Sequence, residues 1–580
     1  MDISSLLAVV ALALAVYSLL SPAKKLQLSL RTGFIEKTIL VIGCFLIHLL
    51  VLCSRSPRST SLYHELTGIA ISPDISAYLV LLTTSLIAIW FFSRFRLSRS
   101  SIKRFRTLAD TLHYSRDYSE LVQLVEEHFH ALLSLSTGHY FPEKLRRFLP
   151  PKNHFFDLER FEKRLARLLP WQRSCIEIIQ PWLKRFNISN ESFPTWSHAQ
   201  IEAEGILQML LSNPNFAHEL ARTKPYLALQ VFSATGFFLP EFMDNYFQSL
   251  LNDRSSIFYL EIRNNQNLSI GEHRYRIPKE NRLLHFLFND TEKAHSLGIY
   301  KPIGESVLRH LDHLRQNIQA DPYNDPPRDY QEDGRWGCPL FVGIQFFDIM
   351  LAEAIYQNIE WHMWLYYYPH FARRICRNVD FSNPDIDVDA EMPTKYLYLL
   401  HEMNWNLSRW VECLEDIPLS QSNSKLATSR PSHENGNPFK SSILALDQIL
   451  HHIVRTKGMP QHFVHSQFDI VFYLYFDLLK IKGRANYAET IMNTMISGAG
   501  YVDRSSPDFL GTAIQAYCSH DHAKHMSQDY ETPIVRLVTA FGEEFGYDEL
   551  VAYVEVSRVG DKVRVSAPHG YNFEIPLKSQ

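Results

Sequence analysis

Three long apolar runs lie close together at the start of the chain. They span Ile3–Leu20, Thr38–Cys53 and Ser76–Ser93, and none of them contains Asp, Glu, Lys or Arg. A helix needs about 20 mostly apolar residues to cross the hydrocarbon core of a membrane. With a few flanking residues each run reaches that length. The sequence therefore predicts an N-terminal three-helix transmembrane anchor.

The distribution of positive charge between the runs predicts the orientation of this anchor. Lys and Arg are frequent in residues 22–37, whereas residues 54–75 carry only Arg55 and Arg58. Cytoplasmic flanks of membrane helices collect Lys and Arg. We therefore expect the N-terminus outside and the large C-terminal body in the cytoplasm. The compact topology fits a bacterial inner membrane, and a eukaryotic endomembrane is the open alternative.

A dense group of positive residues follows the third run. This basic collar consists of Arg94, Arg96, Arg99, Lys103, Arg104 and Arg106. Basic residues beside a membrane helix are attracted to anionic lipid headgroups. We expect the collar to contact membrane lipids on the cytoplasmic side.

One ionisable residue lies near the middle of a predicted span. His48 is in the second run, at a depth where polar groups usually face a partner or a cavity. Thr83, Thr84 and Ser85 lie at a similar depth in the third run. The sequence predicts a hydrogen bond from His48 to one of these hydroxyls, as contact between helices. The alternative is an ion or proton pathway, which would need a homo-oligomer.

The charge balance differs between the anchor and the body. Residues 1–106 contain 12 Lys and Arg against 4 Asp and Glu, and the remaining residues contain 46 against 58. An acidic body lacks the basic footprint that nucleic-acid binding requires. The composition therefore argues against a nucleic-acid partner.

Apolar residues recur at helical spacing through most of the body, which predicts a mainly α fold. One long apolar helix is predicted over Leu340–Tyr368, and a polar stretch near residue 420 predicts a linker. The predicted domains are an anchor (1–106), a helical domain (107–335), an apolar helical core segment (336–419), a flexible linker (420–439) and a C-terminal domain (440–580).

Two parts of the body show strand patterns. Ser256–Arg263 reads as a strand that pairs with His273–Ile277, which predicts a small β patch near 256–277. At the end of the chain, Val551–Ser557, Lys562–Ser566 and Tyr571–Ile575 alternate with period two. We expect these three segments to form a C-terminal antiparallel β-meander.

The strongest candidate for metal chemistry is a short cluster near the C-terminus. It contains Cys518, His520, His522 and His525. Thiolate and imidazole are zinc ligands, although the spacing matches no standard zinc site. Zinc or another divalent metal is the only cofactor that the sequence suggests, and it would support a metal-dependent hydrolase.

The leading hypothesis is non-enzymatic. The sequence contains no P-loop, no G-x-G-x-x-G, no G-x-S-x-G and no H-E-x-x-H motif. We expect a multi-pass membrane protein whose cytosolic body senses or binds a protein partner and acts at the membrane. A stress or antiphage defence effector and an accessory subunit of a transport or secretion machine share this layout. The alternatives are the metal-dependent hydrolase and an oligomeric channel gated by the body.

Overall fold

A computed structural model describes most of the chain. The described residues are 34–55, 73–93, 97, 101–137, 198–233, 240–265, 275–316, 321–330, 332–357, 359, 364–413, 438–498, 506–519, 531–567 and 572–576. They form a mainly α-helical fold with one small antiparallel sheet. The predicted fold class is confirmed to that extent. The first apolar run lies outside the described residues, as does most of the predicted linker.

The chain divides into two compact units, Met1–Phe242 and Met243–Gln580. The helices of the first unit are α1 (Phe34–Arg55), α2 (Pro73–Ser93), α3 (Ile102–Tyr114), α4 (Tyr118–Thr137), α5 (His198–Leu211), α6 (Pro214–Thr223) and α7 (Leu227–Ser233). Helix α8 (Pro240–Asn252) contains the boundary between the units.

The helices of the second unit form the C-terminal body. They are α9 (Ile257–Asn264), α10 (Arg282–Phe288), α11 (Thr291–Leu297), α12 (Tyr300–Leu314), α13 (Pro339–Tyr356), α14 (Tyr367–Asn378), α15 (Lys395–Glu412), α16 (Pro438–Val454), α17 (Gln461–Lys480), α18 (Ala485–Ser497), α19 (Pro507–Ser519) and α20 (Glu531–Phe545). Short 3-10 turns connect several of them.

Helix α4 shows how apolar spacing builds the core of the first unit. Leu121, Leu124, Val125, Phe129 and Leu132 recur at three- to four-residue intervals and are buried. Residues at that spacing share one face of a helix. Helix α4 buries this face against α5 and α6.

Helix α13 lies at the centre of the body and is buried on almost all sides. By length and composition it could cross a membrane, but 83% of it is buried inside the protein. The apolar segments found in the described parts of α1 and α2 are shorter, Val41–Leu50 and Ile75–Thr84. The predicted single helix over Leu340–Tyr368 is wrong, because α13 ends at Tyr356. The side chain of Gln357 accepts a hydrogen bond from the Thr291 amide at 2.7 Å and donates one to the Phe288 carbonyl at 2.6 Å. These contacts hold the end of the helix, and α14 begins separately at Tyr367.

The strand predicted at Ser256–Arg263 is also wrong, because this segment forms helix α9. Phe258, Tyr259 and Ile262 are buried on one helical face. The carboxylate of Glu261 accepts hydrogen bonds from the first amides of α10, Leu283 at 3.1 Å and Leu284 at 2.9 Å. These amides have no partner within their own helix, so the side chain of Glu261 caps the start of α10.

The predicted C-terminal β-meander is confirmed. Strands β1 (Glu555–Val559), β2 (Lys562–Ser566) and β3 (Asn572–Pro576) form one antiparallel sheet in chain order. Val565 pairs with Phe573 and Val563 with Ile575, and all four side chains are buried. The first strand begins later than predicted, because Glu549–Ala552 forms a 3-10 turn.

Candidate functional site

Helices α1 and α2 lie against each other as a hairpin. Ile47 and Ala77 are buried between them, with Leu50, Val80 and Leu81 at the edge of the contact. Most of the other apolar side chains that the structure describes on these two helices are exposed. Their exposed fractions range from 67% for Val41 to 39% for Ile87. The exposed set is Val41, Ile42, Phe45, Leu46, Leu49, Ile75, Tyr78, Leu79, Leu82, Leu86 and Ile87. The hairpin therefore buries a narrow seam and exposes apolar surface elsewhere.

His48 is exposed on the surface of this hairpin. The hydroxyl of Thr83 donates within its own helix, to the carbonyls of Leu79 at 2.8 Å and Val80 at 3.0 Å. Thr84 faces Gly43 of α1. The side chain of Ser85 lies outside the described residues. The hydrogen bond expected from His48 therefore stays a prediction.

Part of the basic collar is used for contacts within the protein. Arg106 of α3 donates to Glu202 of α5 at 2.5 Å and lies 3.8 Å from Asp110. The hydrogen bond that Arg106 donates to Glu202 raises the pKa of Arg106. Lys103 and Arg104 are exposed on the same helix. Arg94, Arg96 and Arg99 lie outside the described residues. Arg106 thus joins α3 to α5, whereas Lys103 and Arg104 lie on an exposed surface.

Cys518 of the predicted metal cluster lies in the core of the body. It occupies the last turn of α19 with 1% of its surface exposed. Burial raises the pKa of its thiol to about 12, so the sulfur is protonated at neutral pH. A metal ligand or nucleophile must be the thiolate. His520, His522 and His525 lie outside the described residues, and within those residues no group of three His, Cys, Asp or Glu is arranged to hold a metal.

A buried ionic contact of the body joins α13 to α15. Arg409 lies 2.6 Å from the carboxylate of Asp348, whose side chain is completely buried. The hydroxyl of Tyr275 donates to the same carboxylate, and Arg409 donates to the Tyr275 oxygen at 2.9 Å. Burial opposes the charged form of Arg409, but the adjacent Asp348 gives a net increase of its pKa. We call these three residues the Asp348 cluster.

A second polar contact lies nearer the start of α15 than Arg409 does. Arg335 donates to the hydroxyl of Tyr398 at 2.5 Å and lies 3.8 Å from Glu402. Burial raises the pKa of Glu402, and its hydrogen bond with Tyr398 opposes this increase. Tyr398, Glu402 and Arg409 are spaced so that they share one face of α15. This face of α15 contacts its neighbours through charged and polar groups.

The Asp348 cluster has the geometry of a structural clamp. Each charge is paired, and pairing is what makes a buried charge tolerable. Sequence analysis missed it, although the sequence contains a signal. Asp348 interrupts an apolar helix, and a buried carboxylate needs a partner. The sequence does not show that the partner is Arg409.

Comparisons with known proteins leave the family of this chain open. No protein-family model matches it, and no curated protein matches it. A solved structure described as a "Circular tandem repeat protein with novel repeat topology and enhanced subunit contact surfaces" is similar over 89% of this chain and 95% of that chain. The identity is 13% and the TM-score is 0.23, which is too low to establish a shared fold.

Proposed function

We propose that this chain is a multi-pass membrane protein whose helical body binds a protein partner at the membrane. The observation that carries the proposal is the apolar surface of the α1–α2 hairpin. Large contiguous apolar patches on a protein surface mark membrane or interaction sites. Burying this surface in lipid removes it from water without a further protein subunit.

A bilayer suits this surface better than a protein groove. Val41 and Phe45 are exposed on α1, and Tyr78, Leu82 and Leu86 are exposed on α2. A groove covers one side of a helix, whereas lipid surrounds a hairpin. Helices of 22 and 21 residues are about 30 Å long, which matches the hydrocarbon core.

The orientation that we propose follows from the flanking charges. Positive residues between the first and second runs and after the third predict both segments in the cytoplasm. The N-terminus is then outside and the body is cytoplasmic, in a bacterial inner membrane. Lys103 and Arg104, which are exposed at the start of the first helix after the hairpin, are compatible with anionic headgroups.

The partner-binding role of the body rests on the chemistry of its described residues. In the Asp348 cluster the two opposite charges are paired with each other, and Cys518 is a protonated core thiol. Neither is arranged to attack a substrate, so we favour binding over catalysis. An effector of stress or antiphage defence and an accessory subunit of a transport or secretion machine both remain consistent with a membrane-anchored binding body.

Membrane extraction tests the proposal. The full chain should stay in the membrane pellet after alkaline carbonate treatment, and a fluorescent protein fused after Gln580 should fluoresce in a bacterial host. The double variant Leu46→Arg/Leu82→Arg should reduce membrane retention. Leu260→Arg is the matched control, because Leu260 is 53% exposed on the body. Release of the unmodified chain by carbonate would contradict membrane insertion.

A further inference from the structure

Three helix ends meet on one face of the C-terminal body. Helix α14 packs against both α12 and α16. The side chain of Asn378, at the end of α14, donates to the Leu311 carbonyl in the last turn of α12 at 2.9 Å. Cys376 forms a hydrogen bond with Thr456, which follows α16. The last turns of α12, α14 and α16 are therefore neighbours.

Basic side chains concentrate at these helix ends. We call this group the arginine surface, and it consists of Arg315, Arg373, Arg374, Arg377 and Arg455 with His370 and His452. Arg374 pairs with Asp312 at 2.6 Å. Within the described part of the chain, the other four guanidinium groups have no carboxylate within 4.0 Å. All four are exposed.

The positive charges of this surface act on one another. Burial and the neighbouring Arg373, Arg374 and Arg315 lower the pKa of Arg377. Burial and the positive charges around it, with Arg373 the foremost, lower the pKa of His452 to about 4. His452 is thus neutral at pH 7, and Asp312 offsets only part of the repulsion between the arginines. A bound anion would relieve this repulsion.

Compensation of helix dipoles accounts for only part of this charge. Each helix C-terminus carries roughly half a negative charge, so three ends contribute about −1.5. Asp312 and Glu305, which interacts with His370 of this surface, add two full negative charges. Five arginines exceed the dipoles and these two carboxylates together, so the surface keeps an excess of positive charge.

We propose that the arginine surface binds a compact ligand with a multiply charged phosphate group. Guanidinium groups bind phosphate oxygens in pairs of parallel hydrogen bonds, and several arginines from different helices can converge on one such group. The surface is local, because the chain beyond residue 106 contains 46 Lys and Arg against 58 Asp and Glu. A long polyanion would extend from the arginines onto acidic surroundings, so a compact ligand fits better than a nucleic acid.

The phosphate group can belong to a soluble phosphate ester or to a lipid headgroup, and the two sources need separate probes. Pyrophosphate and ATP represent the soluble source, and a short-chain phosphatidylinositol bisphosphate represents the lipid source. Binding to the detergent-purified full chain is measured by isothermal titration calorimetry and by the rise of the unfolding midpoint. Binding of either class supports the proposal and identifies the source. If none of the three probes binds, the proposal is wrong.

Reversing the charge of two arginines tests whether the ligand binds at the arginine surface. Arg373→Glu/Arg377→Glu should weaken binding at least tenfold. Arg558→Glu/Lys482→Glu makes the same change in net charge at exposed positions elsewhere in the body and should leave affinity unchanged. Equal losses in both variants would show a general charge effect and overturn the assignment. The ligand-free unfolding midpoint of each variant reports its folding.

A nucleic acid is the competing ligand. A short DNA duplex that binds more tightly than pyrophosphate, and loses affinity in Arg373→Glu/Arg377→Glu, would contradict a compact ligand. These measurements use protein in detergent and do not depend on membrane insertion, so their failure is separable from failure of the proposed anchor.

Discussion

Gly43 of α1 lies so close to Thr84 of α2 that a Cβ atom at position 43 would stand 2.7 Å from the threonine side chain. Contacts below 3.0 Å essentially never occur for real Cβ atoms. Small residues at such crossings let membrane helices approach closely. The absence of a side chain at Gly43 therefore permits the short distance between the two helices.

A larger residue at position 43 should force helices α1 and α2 apart. In a background without Cys44 and Cys53, cysteines introduced at Ile47 and Ala77 should be joined by a short bismaleimide, because both positions lie in the same buried seam. Gly43→Leu should strongly reduce this cross-linking in the full chain.

Val41→Leu is the control for that experiment, since Val41 is 67% exposed and lies on the same helix. Cross-linking should persist in this variant. Undiminished cross-linking in Gly43→Leu would show that the close crossing at Gly43 does not hold the helices together.

The Asp348 cluster should be sensitive to the loss of one partner. Arg409→Met leaves the Asp348 carboxylate without its cationic partner, and breaking a buried pair costs about 3–5 kcal/mol. The double variant Asp348→Leu/Arg409→Met removes both charges and should recover much of the loss. Chemical denaturation of the purified protein measures the change.

An exposed ion pair serves as the reference for the buried one. Lys480 and Asp477 lie 2.7 Å apart, with 65% and 44% of their side chains exposed. Asp477→Ala should cost less than about 1 kcal/mol, because solvent screens such pairs. Similar costs for Arg409→Met and Asp477→Ala would argue against the Asp348 cluster as a clamp.

Acid should destabilise the body through His451. Burial, followed by Arg455 and His452, lowers the pKa of His451 from 6.5 to about 4, although Asp447 lies 3.6 Å away. The neutral imidazole is stacked on Phe509 with ring centroids 3.7 Å apart. Its contribution to stability is fully present above pH 6.5 and is lost as the pH falls towards 4, by about 3 kcal/mol.

His451→Gln should therefore flatten the dependence of the unfolding midpoint on pH between 6.5 and 4. The variant His452→Gln measures how much the second histidine contributes to the same pH dependence, because the pKa of His452 is also lowered to about 4. An unchanged slope in His451→Gln would show that His451 does not titrate in this window.

Cys518 should react with a maleimide only when the body unfolds. Its thiol is 1% exposed, and burial raises its pKa to about 12, so both access and ionisation oppose reaction. Mass spectrometry of labelled peptides should show slow modification in buffer and rapid modification in denaturant. Rapid labelling of the native protein would show that Cys518 is accessible to solvent, and a metal-ligand role for this thiol would again be possible.

Local pattern was enough to predict some elements and not others. The β-meander was predictable because Val563, Val565, Phe573 and Ile575 alternate with polar residues over whole strands. Ser256–Arg263 was not, since its eight residues satisfy both a strand and a helical spacing. The Glu261 carboxylate accepts hydrogen bonds from the amides of a helix about 20 residues later, and the local pattern does not show this contact.

The arginine surface escaped sequence analysis for a similar reason. Arg373, Arg374 and Arg377 are visible as a short basic run, but Arg315 and Arg455 come from other helices. The net charge of the body is negative, but a net charge does not show which side chains lie close together in the fold. The clamp partner Arg409 was hidden likewise, because pairing across helices depends on packing.

The apolar composition of α13 affects how the chain is handled during its synthesis. As it leaves the ribosome, Pro339–Tyr356 is long and apolar enough to enter a bilayer, and insertion there would reverse the orientation of the chain that follows it. Asp348 lies near the middle of this segment, where a carboxylate opposes insertion by about 2.5–3.5 kcal/mol. We expect Asp348→Leu to increase mis-insertion of the nascent chain. The carboxylate that later binds Arg409 would thus first act as a signal that keeps this helix out of the translocon's lateral exit.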